Sequence, residues 1–263
     1  MVFRKKSIKA KRPVRRRVYR KKPVVSKAIK TYVKRTISSN IENKYFVDYG
    51  TNQSITTQSG GGTPIHRQLL PSLVQGLGAG QRLGNEVMVK SAYIRGHVNI
   101  LPYNATTNPG SVPVYLLMLL VKNKKANIAM GSSNAGHDLF ELGNSAIGLQ
   151  GNMLDMILPI NSQNWQQLAR KKVKLGCSSL SSNATSIQGY FDNSSFSVPF
   201  QFNYGKYLKK LQYEDSGSGF TQTTPVNTNL SLIFQTVYAN GDTSAQYTIA
   251  EYHYSIRMVY EDA

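Results

Sequence analysis

Between Lys44 and Glu261 the apolar side chains recur every second residue, and that beat restricts the fold more than any other feature of the chain. "FSVPFQFNYG" (196–205) places Phe196, Val198, Phe200, Phe202 and Tyr204 on one side. In "YTIAEYHYSIRMVYE" (247–261) the shared side carries Ala250, Tyr252, Tyr254, Ile256, Met258 and Tyr260. "EVMVKSAYIRGHVNI" (86–100) groups Met88, Ala92, Ile94, Val98 and Ile100, with Lys90 and Gly96 interrupting. "KYFVDYG" (44–50) alternates Tyr45, Val47 and Tyr49. "PVYLLMLLVK" (113–122) is apolar on both faces, "LSLIFQTVY" (230–238) is a further strand, and "QLARKKVKLG" (167–176) is a weaker, basic one. A period of two is the signature of half-buried strands, in which successive side chains point to opposite faces. β-branched and aromatic residues dominate these runs, as pleated surfaces favour.

About seven or eight strands, parted by loops rich in Gly, Ser, Asn, Thr and Pro, predict a β-sandwich or barrel. The loops fall at 50–64, 102–112, 177–195 and 214–227, and the stretch 126–160 is less regular. Within it "HDLFELG" (137–143) reads as one short helical turn. The longest apolar run, Val114 to Val121, is too short to cross a bilayer as a helix, so no membrane insertion is expected.

Charge divides the chain in two. Of its 263 residues 40% are hydrophobic, enough for a sizeable core, yet the formal net charge is +19. Residues 1–41 hold 16 Lys and Arg and no acid. The remaining 222 hold the other 16 basic residues and all 13 acids, a net of +3. The organisation expected is therefore a basic, largely disordered arm over 1–40 and a near-neutral shell of strands over 41–263. From Val25 to Ile37 the arm carries a helical stripe, Val25, Ala28, Ile29, Tyr32, Val33 and Ile37. Three readings of that stripe stay open: a frayed segment that helps dock the arm, a helix ordered by contact with phosphate, and a membrane-surface helix.

The arm is the candidate nucleic-acid site. Arg4, Lys5, Lys6, Lys9, Lys11, Arg12, Arg15, Arg16, Arg17, Arg20, Lys21, Lys22, Lys27, Lys30, Lys34 and Arg35 would neutralise phosphates and release condensed counterions. Tyr19 sits among them, placed to stack on an unpaired base. "KRPVRRR" and "RKKP", with Lys11, Arg12, Arg15, Arg16, Arg17, Arg20, Lys21 and Lys22, also suit a nuclear localisation signal. One arm can serve both ends. In the body, Arg170, Lys172 and Lys174 share a strand face that either lines a phosphate-bearing surface or is simply solvated, and "GKYLKK" (205–210) is a weaker basic patch.

Catalytic signals are thin, and an enzyme is not expected. The four histidines, His66, His97, His137 and His253, lack metal-ligand spacing; His97 and His253 read as structural or surface residues. Asp138 with Glu141, and Glu214 with Asp215, read as turn or helix polarity, with a calcium site between subunits as the minority reading. "GLGAGQRLG" (76–84) lacks both the Walker signature and the dinucleotide register and leads into a strand. No metal ligand set and no cofactor are expected. Cys177 stands alone, so no intrachain disulfide forms. The N-terminus has no apolar segment of the secretory kind, so the sequons at Asn52, Asn104, Asn183, Asn193 and Asn229 are expected to stay unglycosylated.

A basic, acid-free arm ahead of an antiparallel β body resembles the capsid proteins of small circular, Rep-encoding single-stranded DNA (CRESS-DNA) viruses, the circovirus and geminivirus group. "QRLGNEVMVKSAYIRGHV" (81–98) is similar to the segment that leads into their second core strand. "WQQLARKKVKLG" (165–176) is similar to their mid-chain basic strand, and "YHYSIRMVYED" (252–262) to their closing strand. Single-jelly-roll capsids of small RNA viruses share these features in part. The resemblance implies an all-β fold, a single jelly roll of two four-stranded antiparallel sheets. It also implies a T=1 icosahedral virion of identical subunits, a packaged single-stranded DNA genome, a host nuclear import receptor that brings the subunit to the nucleus, and a host cell-surface receptor. Sixteen arm charges on about sixty copies would offset on the order of a thousand phosphates. Two other classes fit less well: a cellular nucleic-acid-binding protein with a basic tail, and a lectin or hydrolase on the same fold.

Overall fold

The computed structural model describes residues 26–40, 43–56, 65–78, 80–101, 113–124, 138–176, 196–214, 223–239, 241 and 247–262. It separates into two units, 1–41 and 42–263. In the first, α1 (Lys27–Asn40) spans the predicted stripe from Ala28 to Ile37 and runs three residues further, while Val25 lies outside the described residues. Ser26 Oγ accepts from the Ile29 N–H at 3.3 Å, as a helix-start serine does. Thr31 and Thr36 hydroxyls donate back to the carbonyls of Lys27 and Tyr32.

The second unit is built from β1 (Lys44–Thr56), β2 (Ile65–Gln68), β3 (Glu86–Ile100), β4 (Val114–Asn123), β5 (Phe140–Leu142), β6 (Ser145–Ile147), β7 (Trp165–Leu175), β8 (Ser197–Asn203), β9 (Lys210–Gln212), β10 (Asn229–Tyr238) and β11 (Thr248–Asp262). Sheet A runs β1-β11-β3-β8, with β9 extending the pairing of β3; sheet B runs β2-β10-β4-β7. Leaving out the three-residue strands, the first strand pairs with the last, the second with the second-last, and so inward to β4 and β7, all antiparallel. That nested pairing is a long hairpin rolled across two sheets, which defines the single jelly roll. The strands expected from the alternation all form. The segment 81–98 leads into the third strand rather than the second, because the four-residue β2 is too short to show a period.

One core lies between the sheets, with Ile94, Leu116, Met118, Leu232, Ile256 and Met258 at most 1% exposed. Its aromatic spine joins both sheets: Phe234 stacks on Tyr252 at 4.3 Å and meets Phe200 edge-on at 5.7 Å. A second core lies on the other side of sheet B, where Leu139, Phe140, Leu149, Met156, Ile160 and Trp165 cover Leu117, Leu119, Val121, Ile233 and Val237. Here is the reason that 113–122 is apolar throughout: β4 is sandwiched on both faces, each fully buried Leu contributing about 1.5–3 kcal/mol. Of the expected helical turn at 137–143, Asp138 is helical, but beyond it the expectation is corrected; Phe140–Leu142 pairs with Ser145–Ile147 through a two-residue turn in which Gly143 has φ +61°. A glycine followed by asparagine between short strands is a hairpin signal. Asp155 anchors this cover: fully buried, it accepts from the N–H groups of Gln150 and Gly151 at 2.7–3.0 Å. Burial nevertheless raises its pKa above the ordinary aspartate value.

Register corrects one face. Val89 pairs with Tyr260 while Ser91 pairs with Val259, which leaves Lys90 as an extra residue. This β-bulge shifts the phase, so Val87 is buried in place of Met88, which is 40% exposed. The termini of sheet A are tied together, since Lys44 bridges Asp262 at 2.7 Å and donates to the Gln81 carbonyl at 2.8 Å. Arg67 on β2 bridges Asp48 on β1 and lies over the Tyr254 ring at 4.8 Å, joining the two sheets.

Candidate nucleic-acid interface

Antiparallel register aligns side chains in rows across the face of sheet A that points away from the core. One row is Val47, Arg257, Tyr93 and Asn203; the next is Tyr49, Ser255, Arg95 and Gln201; a third holds His253, His97 and Pro199. Tyr45, Val47 and Tyr49, the alternating set of the first strand, therefore face outward at 50%, 61% and 76% exposure. Phe46, Asp48 and Gly50 face inward instead. The inward choice follows from Gly50, which lies opposite Tyr254 with Gly96 on its other side. A Cβ at Gly50 would sit 2.4 Å from the Tyr254 ring, and one at Gly96 would sit 2.0 Å from the His253 carbonyl oxygen. Gly50 thus makes room for the Tyr254 ring, and Gly96 for the β11 backbone at His253 and the Phe200 ring.

Beyond Gly50 the register with β11 slips, and Asn52 adopts a positive φ of 53°. Its N–H donates to His253 Nδ1 at 3.3 Å, while His253 Nε2 lies 3.3 Å from Glu251. The bulge rims a depression of about 570 Å³ lined by Tyr49, Arg95, His97, Pro199, Gln201 and His253. Arginines and tyrosines interleave across the face: the Arg257 guanidinium lies 5.4 Å over Tyr45, and that of Arg95 5.9 Å from Tyr93. Planar cations beside exposed rings can take phosphate on the one and a base on the other.

The residues singled out in the sequence are dispersed. Arg4 to Lys22, Tyr19 among them, lie outside the described residues. Lys27 and Lys30 are exposed on α1, whose backbone also carries Lys34 and Arg35. Arg170, Lys172 and Lys174 share a face of β7, opposite Leu119, Leu117 and Tyr115. They are not equivalent there. Arg170 donates to the carbonyls of Leu158 at 2.8 Å and Asp155 at 3.1 Å, pinning the second core's cover, and burial lowers its pKa. Lys172 is exposed and lies 4.9 Å over Tyr115; Lys174 is exposed beyond it. In "GKYLKK" Lys206 lies over the Tyr207 ring at 4.8 Å and Lys210 bridges Glu86 at 2.7 Å.

The acidic and glycine-rich motifs are architectural. Asp138 accepts from Trp165 Nε1 at 3.0 Å and from Asn164, and Glu141 accepts from the Ser162 N–H at 2.7 Å. Within 76–84, Arg82 is wholly buried, donating to Leu73 and Gly84 carbonyls and to Asn85, with its guanidinium 4.6 Å over Tyr213. Among the described residues no group of three or more His, Cys, Asp or Glu could hold a metal ion. No described helix is long and apolar enough to cross a membrane. Cys177, His137 and Asp215 lie outside the described residues. The outward face of sheet A was not singled out from the sequence. The signal was present in Tyr93-x-Arg95-x-His97 and His253-x-Ser255-x-Arg257, out of phase with the apolar residues, but only the register sets the two triplets side by side.

No protein-family model matches the chain, and no curated protein matches it either. Among solved structures it is similar to the cryo-EM structure of Mud crab tombus-like virus, at 10% identity and a TM-score of 0.33 over 88% of this chain and 97% of that one. It is also similar to VP1 of Trichodysplasia spinulosa-associated polyomavirus in complex with sialylated precision glycooligomers, at 11% identity and a TM-score of 0.26 over 84% and 94%. Likenesses this loose carry no argument about function; the jelly roll rests on strand order and register alone.

Proposed function

We propose that the chain is a viral coat subunit: the jelly-roll body tiles with identical copies into a small closed shell, and the basic arm condenses a single-stranded genome inside it. The observation that carries this reading is the segregation of charge, 16 cations without one acid in residues 1–41 against a net of +3 in the rest. A polycation of that kind contributes nothing to an interior and binds polyanions without regard to sequence. A cellular binding module would spread its cations over one contacting face. Here exposed body cations lie on both sheets, Arg95 and Arg257 on one, Lys172 and Lys174 on the other, and others such as Lys124 and Lys206 lie outside the two faces. The genome is DNA on this reading, and the same arm serves nuclear import before assembly.

Expression of the full chain tests it. Electron microscopy should show uniform closed particles whose cargo yields to DNase once the shell is opened. Cargo that yields to RNase instead transfers the reading to an RNA virus. Replacing the arm cations by Gln should leave the body folded and empty the particles. A monomer that never assembles, or particles that keep full cargo with a neutral arm, would overturn the proposal.

A further inference from the structure

We propose that the outward face of sheet A is a structured docking site for single-stranded nucleic acid, separate from the arm, in which Arg95 and Arg257 take phosphates and Tyr45, Tyr49 and Tyr93 stack bases. The inference rests on the packaging reading and deepens it. Charge complementarity is the first support. In the rows around the depression the acid is Glu251, already engaged with His253 at 3.3 Å. Exposed rings are the second: Tyr49 is 76% exposed on a strand, where an aromatic with no partner forfeits its burial. The third is spacing. Each arginine lies within 6 Å of a tyrosine ring, the reach of one nucleotide from phosphate to base. The depression of about 570 Å³ lies in the range of roughly 300–1,000 Å³ that small-ligand sites occupy.

A second copy of the chain fits the face less well. A two-fold contact would set the cationic patch that holds Arg95 and Arg257 against its own copy. The rigid part of the site lies on β3 and β11, the two strands of sheet A flanked on both sides, so the cations are held in place before cargo arrives. The arm then gathers the polyanion by charge, and the face fixes a short stretch of it with bases splayed on the rings. Stacking is tolerant of sequence, so no base preference is expected.

The test uses the full chain and an oligothymidylate carrying 5-iododeoxyuridine, photocross-linked and mapped by peptide mass spectrometry. Cross-links are expected on the β1 peptide with Tyr45 and Tyr49 and on the β3 peptide with Tyr93, besides the arm. Tyr49→Ala should weaken binding by about tenfold, while Tyr49→Phe, which keeps the ring, stays within about twofold. Arg95→Ala with Arg257→Ala should flatten the salt dependence of the binding constant by about 1.4 in slope, 0.7 for each lost phosphate contact on a single strand. Both arginines are exposed, so the melting temperature should not move. Cross-links confined to the arm, with binding unchanged in these variants, overturn the site and leave packaging intact. Variants that alter particle assembly but not binding also overturn it, making the face a contact between copies. Failure of the parent chain to bind the oligonucleotide overturns the packaging reading itself.

Discussion

Replacing Arg82 should unfold the rim of the sandwich, and the size of the effect can be worked from its surroundings. Arg82 is fully buried, and among the described residues it is the largest side chain in that state. Its Nε donates to the Leu73 carbonyl at 3.3 Å, and its Nη1 to the Gly84 carbonyl at 2.6 Å and to Asn85 at 2.9 Å. Its own backbone closes the same loop, accepting from Gly76 and donating to Val74. Arg82→Met takes these donors from two backbone carbonyls, at about 1–3 kcal/mol each. It also removes the cation from the Tyr213 ring, worth about 2 kcal/mol where desolvated. Against this, the guanidinium no longer has to be stripped of water, which returns several kcal/mol. The net expectation is a loss of about 3–5 kcal/mol. For a body of this size about 2–4 °C is lost per kcal/mol, giving a fall of about 6–20 °C. Arg82→Lys should lose nearly as much, since one ammonium cannot reach acceptors arranged for a planar fork. The assay is urea and thermal unfolding of dispersed subunits, followed by the emission of Trp165, the single tryptophan and 2% exposed. If both variants unfold within about 1 kcal/mol of the parent, the claim that this loop is organised around a buried cation is wrong.

Two further outcomes follow from the packing. Gly96→Ala should destabilise the body by about 2–4 kcal/mol, because its Cβ would strike the backbone oxygen of His253 rather than a side chain that can swing away; hydrogen exchange should show β3 and β11 loosened first. Alkaline unfolding should be steep. Burial, chiefly, pushes Tyr252 and Tyr260 up to about 12, and raises Tyr204 and Tyr213 still further. Below about pH 10 these tyrosines are neutral folded or unfolded, and the pH dependence is flat. Above it the unfolded chain ionises first, so stability is lost as pH rises from about 10 towards the folded values. Ultraviolet titration should then show a delayed class of tyrosines, Tyr252 and Tyr260 among them, that ionises together with unfolding.

The alternation in β3, β8 and β11 was legible because those strands have one solvated and one buried face over enough length for a period to show, whereas β10, buried throughout, was legible only as an apolar run. The apolar run of β4 was legible as a strand, yet the reason for its two apolar faces was not. That reason is the cover over sheet B, made by residues some twenty to forty positions downstream. β2, β5, β6 and β9 span three or four residues each and carry no periodicity to read. Met88 and Val87 exchanged places because a single extra residue at Lys90 reverses every side chain beyond it.

Composition and local pattern by themselves determined that this chain has a cationic arm without acids and a body of strands, since charge and period are properties of neighbours in sequence. Which strand lies beside which was decided only in three dimensions. Pairing β1 with β11 joins residues about two hundred positions apart, pairing β3 with β8 about a hundred, and no local preference encodes that choice. Tertiary packing likewise turned Arg170 into a brace for the second core and Arg82 into the centre of a loop. It also gathered Tyr49, Arg95 and Arg257 on one open face, because hydrogen-bonded register, not sequence distance, sets which side chains meet.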